Sequence, residues 1–176
     1  MFFSKNNGPK VRDIVYLDEQ ACTAAAAKWL LEHPAGRIAV WFQQDLDRLR
    51  RPPAGIAEDR SLLAGRLSFS HEAGREILFL GHYPLRSVET ALYEEQGISE
   101  ALVYTHLDMP ILVNFGSGRI KDMMLKMGMG QGEALEHPMI TKAIQNALDK
   151  IAEKIVTDMP ARSEAEWMQL YAPAIL

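Results

Sequence analysis

With 176 residues the chain has room for one domain with its own hydrophobic core, and 48% hydrophobic against 24% charged residues excludes a globally disordered polypeptide. A net charge of -4 argues against broad electrostatic binding to nucleic acid or to an anionic membrane surface, and no apolar run is long enough to span a bilayer. Cys22 is the single cysteine, so an intramolecular disulfide is excluded and a buried, inert thiol is the expected state. The opening MFFSKNNGPK has too short an apolar stretch for a signal peptide, and the expected location is cytoplasmic.

The first strand signal is Ile14 to Leu17, closed by Asp18, which can cap a helix running to about His33. Ala21, Ala25, Trp29 and Leu31 are read as its apolar face, and Pro34 with Gly36 as its stop. Arg37 to Phe42 reads as a second strand, followed by a short charged helix, QQDLDRLRR, ended by Pro52 and Pro53. Arg48, Arg50 and Arg51 at its end suit the negative pole of the helix better than a nucleic-acid site. Residues 54–74 read as an insertion or hairpin arm with a strand candidate at Arg66 to Ser70. Glu76 to Leu80 is a core strand, Gly81 to Pro84 a turn, and Pro84 or Ser87 opens a helix with Leu85, Val88 and Leu92 on one face, ended by Gly97. Leu102 to Thr105 is a further strand.

Strands alternating with helices of this length imply parallel pairing through crossovers. The fold class expected is α/β: a Rossmann-like three-layer domain with a mostly parallel sheet, followed by a helical C-terminal extension. Everything after Asp108 looks helical, which divides the chain into an α/β part, 1–108, and a helical part, 109–176, packed on it as one compact unit. Ile120, Met123, Met124 and Met127 form an apolar stripe at helical spacing. Pro138 suits the first turn of the next helix, along which Ile140, Ile144, Leu148, Ile151 and Ile155 continue one face for about five turns. Ser163 with Glu166 forms a capping-box pattern for a last helix carrying Trp167, Leu170 and Tyr171.

Between Tyr104 and Ile151 an ordered series of residues stands out: Leu107 and Asp108, FGSxRI from Phe115 to Ile120, Met124, Gly128, Met129, Glu133, and EHPMITKAI from Glu136 to Ile144. This stretch resembles the SecA preprotein translocase motor family, at the point where the second motor domain ends and the scaffold helix begins. A strand-helix unit from the start of that domain is similar either to Ile77–Ile98 or, more weakly, to Gly36–Leu49. The resemblance implies a reduced second motor domain joined to the root of the scaffold helix, with protein partners among translocation components. Motor chemistry departs from the family pattern. No GKT or GKS occurs, the DEAD-like box and the QLRGRSGRQG segment are absent, and VYTHLD at Val103–Asp108 stands where the family reads close to FYLSLED. An ATPase is not expected, and neither a cofactor nor a metal is called for.

Three groups of residues could carry function. His82, Tyr83 and Arg86 follow one strand and His106 with Asp108 follows another, so they could form a ligand or proton-transfer cluster beyond the strand carboxyl ends. Their spacing matches no known metal motif, and histidines in turns are common caps. Ser117, Gly118 and Arg119, after Gly116, could expose backbone amides to an anion, although capping by Ser117 and a pairing role for Arg119 are the simpler reading. Met123, Met124 and Met127, with Met129 and Met139, are ordinary core filling or an adaptable groove for an apolar protein partner. Glu136 and His137 fit local capping of the helix at Pro138.

Overall fold

The computed structural model describes residues 8–68, 70, 74–130 and 132–173. Six strands form one sheet: β1 (Lys10–Tyr16), β2 (Arg37–Val40), β3 (Ser61–Leu63), β4 (Ile77–Leu80), β5 (Glu100–His106) and β6 (Ala134–Leu135). Their order is β3-β2-β4-β5-β1-β6, parallel throughout except for β6, which runs antiparallel to β1. The described helices of four residues or more are α1 (Glu19–Glu32), α2 (Gln43–Arg50), α3 (Arg86–Glu95), α4 (Pro110–Asn114), α5 (Ser117–Lys126), α6 (Pro138–Ala152) and α7 (Glu164–Tyr171).

Alternation along the strands assigns the layers. Ile38, Val40, Leu78 and Tyr104 face one way and pack with Ala21, Cys22, Ala26, Trp29 and Leu30 of α1 and with Leu46 and Leu49 of α2. Ala39, Phe79, Ala101 and Val103 face the other way and meet Tyr93 of α3. On this second side Val15 and Leu17 join Ile144, Leu148 and Ile151 of α6 and Trp167 of α7 in a further cluster. The result is a three-layer α/β domain with helical segments at its C-terminal end, as the alternation of strand and helix signals implies.

Several boundaries differ from the sequence reading, each for a packing reason. Strand β1 begins at Lys10 because Lys10 to Asp13 pair in register with Glu100 to Val103 of β5, which polar residues in the sequence conceal. On α1 the buried leucine is Leu30, and Leu31 is 82% exposed, since one residue rotates the helix by 100° away from the sheet. The segment after α2 is no hairpin arm. Ser61–Leu63 adds a parallel edge strand to β2, Ala64–Arg66 makes a short 3-10 turn, and Phe69 of the expected strand lies outside the described residues. The region after Asp108 is not wholly helical, because β6 closes onto Val15 and Tyr16. Helix α6 stops at Ala152, before Ile155, and Leu170 on α7 points to solvent with 57% exposure.

Local signals hold the rest. Asp18 Oδ1 accepts from the Ala21 N–H at 2.9 Å to start α1. Beyond α1, a Cβ on Gly36 would stand 2.7 Å from two atoms of the Trp29 ring, so glycine alone lets the chain pass under that indole. Ser163 Oγ accepts from the Glu166 N–H at 3.1 Å, while Glu166 reaches back to the Arg162 N–H at 2.6 Å, one residue before the box position.

Trp167 is fully buried where α6, α7 and the strand ends meet, and its Nε1 donates to Asp158 at 2.9 Å. Trp167→Ala is expected to cost about 3–5 kcal/mol of unfolding free energy. Urea unfolding followed by far-UV circular dichroism measures it, and a loss below about 1 kcal/mol would mean that this junction is not part of the cooperative core.

Candidate functional site

His82 follows β4 and turns to the α3/α6 side of the sheet. There its Nε2 meets Asp13 Oδ1 at 2.7 Å and its Nδ1 meets Glu89 Oε1 at 3.0 Å, with all three side chains buried. The same Glu89 oxygen accepts from the Tyr83 N–H at 2.8 Å, fixing the turn that follows β4. Burial alone would lower the imidazole's pKa, but the two carboxylates outweigh it and hold His82 well above the usual histidine range, as an imidazolium. Asp13 alternates with Val11 and Val15 along β1, so an acid at an inward strand position was the sequence signal for this triad. Glu89 gave none, being one of several acids on α3.

His106 sits at the end of β5 with the parity of Leu102 and Tyr104, and so faces the opposite side of the sheet, toward α1 and α2. It lines a cavity of about 270 Å³ with Glu19 and Thr23 of α1, Asp45 and Arg48 of α2, Gly81, Asp108, and Glu164 at the start of α7. Arg48 pairs with Glu19, and Asp108 is held by Lys121 at 2.6 Å. Glu164 accepts from the Ile111 N–H at 2.8 Å. Burial pushes the Glu164 carboxyl up to about 8 and Asp45 up to about 6, and pushes the His106 imidazole down to about 4. Glu164 and Asp45 were not among the sequence candidates, because nothing in the local pattern shows that the start of α7 closes over the strand ends.

His82 and His106 therefore do not meet; the sheet separates them. Arg86 pairs with Asp149 of α6 at 2.9 Å, and the Tyr83 hydroxyl donates to Asp158 at 2.6 Å, so neither reaches the cavity. Of the five residues read together, only His106 and Asp108 line it.

The glycine turn is also resolved. Gly116 has φ +88° and takes the N-cap position, whereas Ser117 is buried and donates its hydroxyl to the Leu107 carbonyl, tying α5 to the end of β5 instead of capping it. Arg119 is exposed and makes no ion pair among the described residues, which corrects the pairing role. His137 caps α6 through Nδ1, accepting from the Met139 N–H at 3.2 Å, but Glu136 forks onto Arg12 of β1 instead of capping.

The methionine stripe is not core. Ile120 is 43%, Met123 53% and Met127 78% exposed, and only Met124 of the four is partly buried against the central cluster. The physical reason is that α5 rests on the domain by one narrow edge, through Ser117 and Met124. Its apolar residues border shallow hollows lined by Arg119, Asp122, Met123, Lys126 and Met127 and by Met124, Met129 and Leu135.

No protein-family model matches the chain. Among curated proteins it is similar to the protein translocase subunit SecA of two strains of Acidithiobacillus ferrooxidans, at 47% identity over 51 residues, which is 29% of this chain and 6% of each relative. It is also similar to the SecA subunit of an Anaeromyxobacter species, at 30% identity over 105 residues, covering 54% of this chain and 11% of the relative. The likeness is thus to a fragment of those proteins.

The titrating groups make stability depend on pH. Glu164, raised to about 8, keeps in the native state a proton that the unfolded chain has already lost, so its contribution falls as pH rises toward 8. His82, raised above its unfolded value near 6.5, contributes stability that is complete below 6.5 and is lost as pH rises through its folded value. Both have the same sign between pH 6.5 and 8. Glu164 alone is expected to lower the unfolding free energy by roughly 1–2 kcal/mol across that window, and Glu164→Gln to remove that share while the slope due to His82 remains. Urea titrations at the two pH values test it, and a stability that rises with pH would contradict the assignment.

Proposed function

We propose that the chain is a non-catalytic, SecA-like domain that acts by binding protein, in connection with preprotein translocation. The observation that carries this reading is the exposed face of α5, where Ile120, Met123 and Met127 project from the part of the chain in which the FGSxRI and EHPMITKAI series lies. Apolar side chains of this size, gathered on one element and left in water, mark interaction surfaces. Unbranched thioethers adapt to partners of varied shape, which suits an apolar segment of a translocation component. The name of the similar proteins, protein translocase subunit SecA, supplies the process, and the lack of GKT or GKS supports binding without nucleotide turnover.

We further infer that residues 1–108 and 109–176 act as one unit. Trp167 and Ile144 from the second part share a cluster with Val15, Leu17 and Phe42 from the first, so the binding face is carried on a packed base.

Pull-down with translocation components as bait and prey is the direct test. Retention by at least one component is expected, and the double variant Met123→Glu with Met127→Glu should weaken it by about tenfold or more while leaving the circular dichroism spectrum unchanged. Turnover of ATP by the purified chain, or retention that survives the double variant, would overturn the reading.

A further inference from the structure

The exposed side of α5 has an order that its apolar character alone does not describe. Ile120, Met123 and Met127 stand three and four residues apart, the spacing of the a and d positions of a heptad, so they form a seam against which a second helix can lie. That seam has two flanks. Met124 takes the e position, half-buried against the domain, and Met129 and Leu135 continue this inner flank. Arg119 and Lys126 take the g positions on the outer flank; both are exposed, and neither makes an ion pair among the described residues.

Charge on the outer flank decides the occupant. In helices packed side by side, residues next to the seam pair across it and set which partner is accepted. Here both outer positions are cations seven residues apart, about 10 Å along the helix axis, so a complementary helix carries acids at the same interval. Lys121 is not part of this row, being held by Asp108 at 2.6 Å. Two nearby acids leave the row uncancelled: Asp122 takes the c position, farther from the seam, and Glu133 turns its carboxylate to the Gly130 N–H at 2.9 Å. A second copy of α5 does not satisfy the pattern. Laid antiparallel, it would set Arg119 and Lys126 against the same cations; laid parallel, it would set them against Met124, on the flank that the domain occupies.

We propose that α5 docks an amphipathic helix of a partner protein in coiled-coil fashion, with apolar residues against Ile120, Met123 and Met127 and acidic residues against Arg119 and Lys126. This rests on the reading of α5 as a protein-binding face and narrows the partner to an acid-flanked helix. Flexible thioethers tolerate variety in the apolar row, so the two cations carry the selection. Each exposed ion pair adds modest affinity, and a like charge in the same place subtracts a similar amount.

Fluorescence anisotropy on the whole chain tests it with two labelled helical peptides of about three heptads, identical in their leucine seam and carrying either Glu or Lys at every flanking position. The Glu peptide is expected to bind about tenfold more tightly at low salt, and in about 1 M NaCl, where the Debye length is about 3 Å, the difference should shrink to about twofold or less. Arg119→Glu with Lys126→Glu should reverse the preference; if its circular dichroism spectrum shows misfolding, Arg119→Gln with Lys126→Gln should abolish the preference. Met123→Glu with Met127→Glu should weaken both peptides about tenfold or more. Equal binding of the two peptides, or a preference that the charge variants leave unchanged, overturns the acidic partner while the protein-binding reading of α5 stands. Binding of neither peptide, or binding that survives the methionine variant, overturns the docking mode, and the pull-down with translocation components then decides the broader reading alone.

Discussion

The imidazole of His82, held between Asp13 and Glu89, ties the turn after β4 to α3 and to a strand 69 residues earlier in the chain. Asp13 lies on β1, Glu89 on α3, and β5 runs between β1 and β4, so the imidazole reaches over a whole strand to make the connection. Burying one cation between two carboxylates is expensive unless each is hydrogen-bonded, and here a backbone N–H from Tyr83 supplies part of what water would have supplied. Removing any one member leaves the others charged and dry. The triad thereby fixes the turn after β4, and that turn sets where Tyr83, Phe42 and Trp167 pack beneath α7.

Because the triad consumes His82 on one side of the sheet, the strand-end cavity on the other side is built from different residues. Side chains alternate along a strand, and residues of β1 and β5 paired in register share a face. Asp13 therefore looks toward α6, and His106 toward α1. What closes the cavity is α7, from the far end of the chain, whose first turn brings Glu164 to the backbone of α4.

How far the sequence could be read follows from where information is local. The apolar runs RIAV and ILFL, the cap at Asp18 and the Ser163–Glu166 pattern lie within a few residues of the structure they specify, and they are found where expected. The parallel three-layer arrangement was legible for the same reason. Pairing partners were not. The first half of β1 is largely polar and β3 is only three residues long, each made a strand by neighbours distant in sequence, and β6 is two residues long. The candidate cluster of His82, Arg86, His106 and Asp108 failed to assemble because residue spacing says that strand ends are near, but not which face each side chain takes. The methionine stripe had the period of a buried helix face, and period alone does not say whether a neighbour exists to bury it.

One small feature has a broader effect on the molecule's behaviour toward copies of itself. Strand β1 has only β6 beyond it, bonded at Val15 and Tyr16, while Arg12 is engaged by Glu136 and the Asp13 N–H by Thr141 at 3.4 Å. At the other margin β3 offers three residues. Both borders of the sheet are thus too short or too occupied for another chain to continue the ladder, so this fold can display an apolar helix face in solution while resisting edge-to-edge growth into aggregates.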